Sequence, residues 1–233
     1  MLWFLAGFIV LAALGVALWN APHWIVPWIA ARSPGCLYFV RTEHPLVALT
    51  IDDGPDASTT LRILDELARY RAHATFFLIS ERVRGNEALV AQLARSEHEI
   101  ANHLTRDEPS IKLTPARFER ELRAADSVLA AFGPRRWFRP GSGWYNRRML
   151  ATVRRHGYAC SLGSVYPYDA AIPWSWLASR YVLSSVRSGD IIILHDAGAR
   201  GRRTAATLRR VLPELAGRGL QVVTLSELVR VAR

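Results

Sequence analysis

Lysine is almost absent from this 233-residue chain: Lys112 is the single one among 30 basic residues, and the 20 acidic residues are outnumbered. The formal charge of +10 is therefore carried by arginine, whose planar fork binds phosphate and carboxylate bidentately. A compositional bias of the genome explains this; so does an anionic partner such as a membrane surface, a phosphorylated lipid or an acidic polymer. Nucleic acid is not expected, because the arginines are scattered among acidic residues with no recognition-helix or base-stacking pattern. Cysteine is scarce as well. Cys36 and Cys160 are too few for a disulfide framework, and neither sits in a metal-ligand spacing, which leaves two buried thiols or one bridge in an extracytoplasmic domain. Low-complexity tracts and internal repeats are missing, and with 50% hydrophobic and 21% charged residues the composition is that of an ordinary globular domain.

Charge is missing altogether from the N-terminus, where Arg32 is the first charged side chain. A helix of about 19 apolar residues spans roughly 28 Å, close to the thickness of a bilayer, so residues 1–20 are expected to form an uncleaved transmembrane anchor. A cleaved signal peptide is the alternative, but the basic n-region is absent and cleavage near Gly15 or Ala17 would leave a short apolar core. Trp19, Trp24 and Trp28, with Pro22 and Pro27 interrupting any continued helix, suggest an interfacial belt leading into a linker over residues 21–45. Arg32 and Arg41 pull weakly toward a cytoplasmic domain by the positive-inside rule; an envelope substrate would place the domain outside the cytoplasm.

From Leu46 the chain alternates short apolar runs with amphipathic stretches: LVALTI, a helix over Thr59–Tyr70, ATFFLI, and a helix near Asn86–Ser96. A long helix opened by Thr114-Pro115, a WFR strand, a helix near Arg147–His156 and YACSL follow. DIIIL, a helix over Thr204–Arg218, QVVTL and a terminal helix close the chain. Such alternation predicts one α/β domain over residues 46–233, a parallel sheet or barrel with crossover helices, its apolar strands buried on both faces.

Ligands of such folds bind beyond the carboxyl ends of the strands, where this sequence collects its polar residues. Asp52-Asp53-Gly54-Pro55 follows the first run, and adjacent carboxylates there need a cation or an arginine beside them. The segment HEIANHLTRD carries His103 and Asp107, four apart, a spacing that lets two side chains on one helical face reach one ion. RPGS, YPYD and His195-Asp196 follow later strands. Singly, a turn acid, a surface His–Asp pair or a loop histidine explains each of these.

Together, in this order, they resemble the NodB-homology polysaccharide deacetylases, carbohydrate esterase family four, over roughly residues 46–229. LTIDDGP resembles the first family motif, HEIANHLTRD the second, FRPG the third, the YPYD segment the fourth and ILHD the fifth. The resemblance implies a deformed (β/α) barrel and a mononuclear metal amidohydrolase site. Asp53, His103 and Asp107 would ligate a divalent ion, usually zinc in the family. Because Asp107 replaces a commoner histidine and adds negative charge, manganese or cobalt remain open. Asp52 would be the general base, kept charged by Arg139; His195 the general acid, oriented by Asp169. A backbone N–H at Gly141 or Ser142 would help hold the oxyanion, and Leu194 would line the acetyl slot. Ser142 stands where the family has an aromatic groove wall, which Trp144 or Tyr145 would replace. Leu104 replaces a hydroxyl residue of the second motif, and Tyr166 and Ala170 replace two platform residues of the fourth. His98 is a candidate partner behind the metal loop.

These implications add up to a membrane-anchored, metal-dependent hydrolase that removes N-acetyl groups from an envelope polysaccharide or aminosugar. Two alternatives stand beside it. One is a deacetylase or deformylase of a lipid-linked aminosugar whose phosphate meets Arg200, Arg202 and Arg203 at the rim; the other is a non-catalytic, glycan-binding NodB-like domain.

Overall fold

The run Leu46–Asp52 is apolar but for Thr50 and its last residue, and as strand β2 all seven of its residues are buried. In the computed structural model, which describes residues 21–231 together with Gly7 and Gly15, this strand pairs with three others. The other strands are β1 (Cys36–Leu37), β3 (Ala74–Leu78), β4 (Glu99–Asn102), β5 (Trp137–Phe138), β6 (Ala159–Ser161), β7 (Ile191–His195) and β8 (Gln221–Val223). They lie in the order β1-β6-β5-β4-β3-β2-β7, with β8 also paired to β2, and every pairing is parallel. Beyond the strands, single-residue bridges from Phe39 to Asp190 and from Val165 to Ile192 tie the two ends together. The sheet therefore curls into a half-closed barrel, the α/β architecture expected from the alternation.

The helices are α1 (Ala21–Arg32), α2 (Thr60–Arg69), α3 (Glu87–Arg95), α4 (Pro115–Leu129), α5 (Arg147–Arg155), α6 (Ser175–Ser185), α7 (Gly198–Gly217) and α8 (Leu225–Val231). Local chemistry sets several of their starts. Thr114 caps α4 by accepting from the Arg117 N–H, ahead of Pro115 at the first helical position. Asn146 does the same for α5 through the Met149 N–H. Ile63, Leu67, Leu208 and Leu212 pack with Leu49, Phe76 and Leu194 in the largest apolar cluster, between helices and sheet.

The segment expected to be a linker, residues 21–45, is partly ordered into the fold. Helix α1 runs through Pro27, because one proline forfeits one backbone hydrogen bond and need not end a helix. Strand β1 joins the sheet beside β6, so the sheet begins upstream of Leu46. The expected anchor, residues 1–20, lies outside the described residues apart from Gly7 and Gly15. Among the described residues no helix is long and apolar enough to cross a membrane.

Register puts the candidate site in one layer. Asp52, the last residue of β2, is level with His195, the last residue of β7. Asn102 is level with Leu78 on one side and Phe138 on the other. His103 and Arg139, each one residue past a strand end, thus emerge beside Asp52 and His195.

Candidate active site

Arg139 is only 2% exposed, so every donor it brings inside needs an acceptor. Its Nη1 donates to Asp52 Oδ1 at 2.6 Å and to Thr50 Oγ1 at 2.8 Å, while Nε and Nη2 donate to the Ser161 and Leu162 carbonyls at 3.0 Å each. The guanidinium lies 4.0 Å from the Phe77 ring centroid. Asp52 is thereby fixed in orientation, facing a cavity of about 460 Å³, which is within the usual range for ligand sites, about 300–1,000 Å³.

Opposite it, His195 Nδ1 donates to Asp169 Oδ1 at 2.9 Å, and its own backbone N–H donates to Asp169 Oδ2, also at 2.9 Å. This leaves Nε2 for the cavity. Burial by itself lowers the His195 pKa, but the Asp169 hydrogen bond, with Asp52 and Asp53 nearby, raises it to about 9. The Tyr166 ring meets the imidazole edge-on, 5.7 Å between centroids.

The third pair is Asp53 and His103. His103 Nδ1 donates to the Arg139 carbonyl at 2.8 Å, which turns Nε2 toward Asp53 Oδ1, 3.5 Å away. Burial raises the Asp53 pKa, yet His103, His195 and Arg200 together bring it to about 2. Asp53 has a left-handed backbone, φ 71°, and its N–H donates to the Phe77 carbonyl at 3.1 Å. Behind this turn the buried Asp196 accepts from the hydroxyls of Thr59 and Thr60 and so ties the loop after β2 to the loop after β7.

Asp107 does not join Asp53 and His103 directly. His103 and Asp107 lie on an irregular loop instead of a helical turn, with Leu104 at φ 64° between them. Arg200 stands between the carboxylates: Nη1 donates to Asp53 Oδ2 at 2.7 Å and Nη2 to Asp107 Oδ2 at 2.8 Å. Arg82 Nη2 adds a contact to Asp107 Oδ2 at 3.5 Å. Among the described residues no three metal-ligating side chains converge. The donor set nonetheless fits a divalent cation: two carboxylates and an imidazole Nε2 oriented by a carbonyl behind it. A guanidinium bridging the carboxylates also shows that this position favours positive charge.

Residues 40–161 match the family model described as polysaccharide deacetylase. The chain belongs to the polysaccharide deacetylase family. It is 35% identical over 199 residues to a peptidoglycan-N-acetylglucosamine deacetylase of Bacillus cereus, covering 82% of this chain and 91% of that protein. A chitooligosaccharide deacetylase of Sinorhizobium fredii is 32% identical over 200 residues, covering 80% and 93%. Among solved structures, a family 4 acetyl xylan esterase from Clostridium thermocellum, in complex with a cobalt ion, superposes with a TM-score of 0.74 at 30% identity, covering 80% of this chain and 91% of that one.

Several residues that the family resemblance singled out stand elsewhere in this chain. Leu194 is buried in the main core. Alternation along β7 puts Ile193 on the face of His195, and Ile193 lines the cavity instead. The Gly141 N–H donates to Ser110 Oγ at 2.7 Å and is not available to an oxyanion; Ser142 lines the cavity. Gly141 is needed for close approach, because a Cβ there would fall 2.2 Å from the Glu108 carbonyl oxygen on the loop of Asp107. Trp144 is exposed and outside the cavity lining. Tyr145 likewise turns away, its hydroxyl 2.7 Å from that of Tyr38. His98 accepts from the Ala74 N–H at the start of β3, at the far end of the sheet, and burial lowers its pKa to about 4.

The three arginines do not form a common rim. Arg200 lines the cavity, Arg203 donates to the Asp169 carbonyl at 3.0 Å, and Arg202 lies in a separate depression with Arg62, Glu66 and Arg209. Leu162, Gly163, Tyr166 and Ile193 also line the cavity. Of these, Ile193 is accessible from strand periodicity alone.

Proposed function

We propose that the chain is a metal-dependent N-deacetylase of an N-acetylated envelope glycan, with N-acetylglucosamine polymers, the substrates named for its relatives, as the first candidates. The observation that carries this reading is the convergence of Asp52–Arg139, His195–Asp169 and Asp53–His103 on one cavity at the strand ends. Asp53 and His103, joined by Asp107 when Arg200 releases it, would hold the ion. Zinc fits the imidazole, and cobalt or manganese fits the two carboxylates equally well. When bound, the ion supplies a Lewis acid for the amide carbonyl and lowers the pKa of water.

The chain's own groups do the remaining work. Asp52 takes a proton from the attacking water, and Arg139 holds the carboxylate oriented toward it. His195 Nε2–H delivers a proton to the departing amine nitrogen as the C–N bond breaks, leaving acetate and a free amine. Asp169 keeps the imidazole in the tautomer that presents Nε2 to the cavity. Ile193 offers an apolar wall to the acyl methyl.

Residues 1–20 are, in this reading, the membrane anchor, and the domain works outside the cytoplasm, where envelope polymers lie. The dispersal of Arg202 and Arg203 removes the cluster that favoured a phosphate-bearing, lipid-linked substrate, and the intact Asp52, Arg139, Asp169 and His195 set speaks against a purely binding role. The test is acetate release from chitooligosaccharides and peptidoglycan fragments by zinc-, cobalt- or manganese-loaded protein. Wild type should turn these over, and Asp52→Asn and His195→Ala should each lose about 10²–10⁴-fold in rate. No acetate from any substrate with any metal would refute the reading.

A further inference from the structure

Both cysteines of the chain meet at one point of the sheet. β1 and β6 are parallel neighbours in register at Cys36 and Cys160, and the two Sγ atoms lie 3.3 Å apart. Parallel neighbours in register have their Cα atoms separated by the strand spacing, about 4.8 Å, within the ~4.4–6.8 Å that a disulfide spans. Their Cβ atoms also point to the same face. Cys36 is half-buried and Cys160 buried, and neither is tied up in a bridge already.

We propose that Cys36 and Cys160 form an oxidation site at which a disulfide staples the edge strand β1 to β6. The oxidant is a second disulfide, either a small-molecule one or that of a thiol–disulfide oxidoreductase. Cys36, the more accessible thiol, loses its proton and attacks one sulfur of that disulfide, expelling a thiolate. Cys160 then loses its proton and attacks Cys36 Sγ, expelling the second. Two protein thiols are oxidised and one external disulfide is reduced to two thiols. The order of attack agrees with the electrostatics: the Cys160 thiol, with the Arg139 charge adding to it, holds the Cys36 thiol below its ordinary value against the burial that raises it.

The staple would bear on the candidate active site. The Leu162 N–H donates to the Leu37 carbonyl at 2.8 Å, and the carbonyls of Ser161, the last residue of β6, and of Leu162 hold Arg139. Arg139 in turn holds Asp52. The bridge would thus close a loop of 124 positions and pin the edge on which the carboxylate's arginine rests. The two thiols meet whether or not the chain is a deacetylase.

The test uses the full chain, purified, incubated with oxidised glutathione, then denatured and alkylated. The expected result is no alkylated cysteine, a mass lighter by two hydrogens, and one cross-linked peptide pair containing Cys36 and Cys160. Adding reductant should restore both thiols and lower Tm by about 5–15 °C, the range for closing a long loop in a chain of this size. Cys36→Ser and Cys160→Ser should each keep one modifiable thiol and show no reductant-dependent change in Tm. Two alkylated cysteines in the oxidised wild type, glutathione attached to each cysteine, or a cross-link between chains would overturn the proposal.

Discussion

In the proposed mechanism, Arg200 is the residue on which metal binding turns. Its guanidinium neutralises the same two carboxylates that a divalent ion would need, so ion and arginine compete for one position. Arg200→Ala should therefore bind zinc or cobalt at least about tenfold more tightly than wild type, equivalent to ~1.4 kcal/mol, as read by calorimetric titration. Arg202→Ala, in its separate depression, should leave the affinity unchanged. Weaker binding by Arg200→Ala would mean that the arginine orders the ligands instead of competing with the ion. As the proposed general acid, His195 should govern the pH profile. With its pKa raised to about 9, the imidazolium that donates to the leaving group is present at neutral pH and is lost as pH rises. The charge of a bound ion acts in the opposite direction, so kcat/KM should fall along an alkaline limb at or below about pH 9. Asp169→Asn removes the main cause of the elevation and should move that limb down by roughly one pH unit or more. An unmoved limb would detach it from His195.

At the scale of elements, sequence periodicity misses helix α6 and the first turn and a half of helix α7, each for its own reason. α6 buries Ser179 and Ser185 among Ala178, Tyr181 and Val182, so its buried face is not a continuous apolar stripe. α7 begins at Gly198, a full turn and more ahead of the expected Thr204, because Gly198 and Gly201 oppose helix by propensity yet one of them is required by packing. A Cβ on Gly201 would fall 2.4 Å from both Asp196 Oδ1 and Thr59 Oγ1. Gly201→Ala is thus expected to destabilise by about 1–3 kcal/mol despite alanine's better helix propensity, seen as a lower Tm in thermal unfolding. Metal affinity should fall with it, since Asp196 and Thr59 brace the loop that leads from Asp53. A stabilised variant would show that Asp196 and Thr59 can retreat at no cost.

For the whole molecule, the sheet is held by strands that begin at Cys36, and helix α1 lies upstream of it. Trp24 and Trp28 on that helix are more than half exposed, and Arg32 stacks on Trp28 of the same helix at 4.1 Å. A chain beginning at Ser33 should therefore unfold within about 2 °C of the full chain, the shift that a change of ~0.5–1 kcal/mol produces at this size. If residues 1–20 form the anchor, the shortened chain should also leave the membrane fraction. A large loss of Tm would mean that α1 is part of the core.

Much of the site is legible in the sequence, because its residues sit directly at the ends of apolar runs: Asp52 and Asp53 after LVALTI, His103 after the β4 run, Arg139 after WF, His195 after DIIIL. Strand ends can be read from local composition, and parallel α/β sheets place their chemistry there. Sequence by itself therefore determined the fold class, the family and the Asp52–Arg139 and His195–Asp169 partnerships that the family motifs imply. Tertiary structure decided what depends on direction and on third parties. It turned Leu194 into the core and Ile193 into the cavity, consumed the Gly141 N–H with Ser110, and sent Arg200, Arg202 and Arg203 to three different places. It also set Arg200 between Asp53 and Asp107, and Cys36 beside Cys160 across positions far apart in the chain. Spacing along a sequence reports which residues share a strand or a loop; which side chains meet is settled only when strands take their register and every buried charge finds its partner.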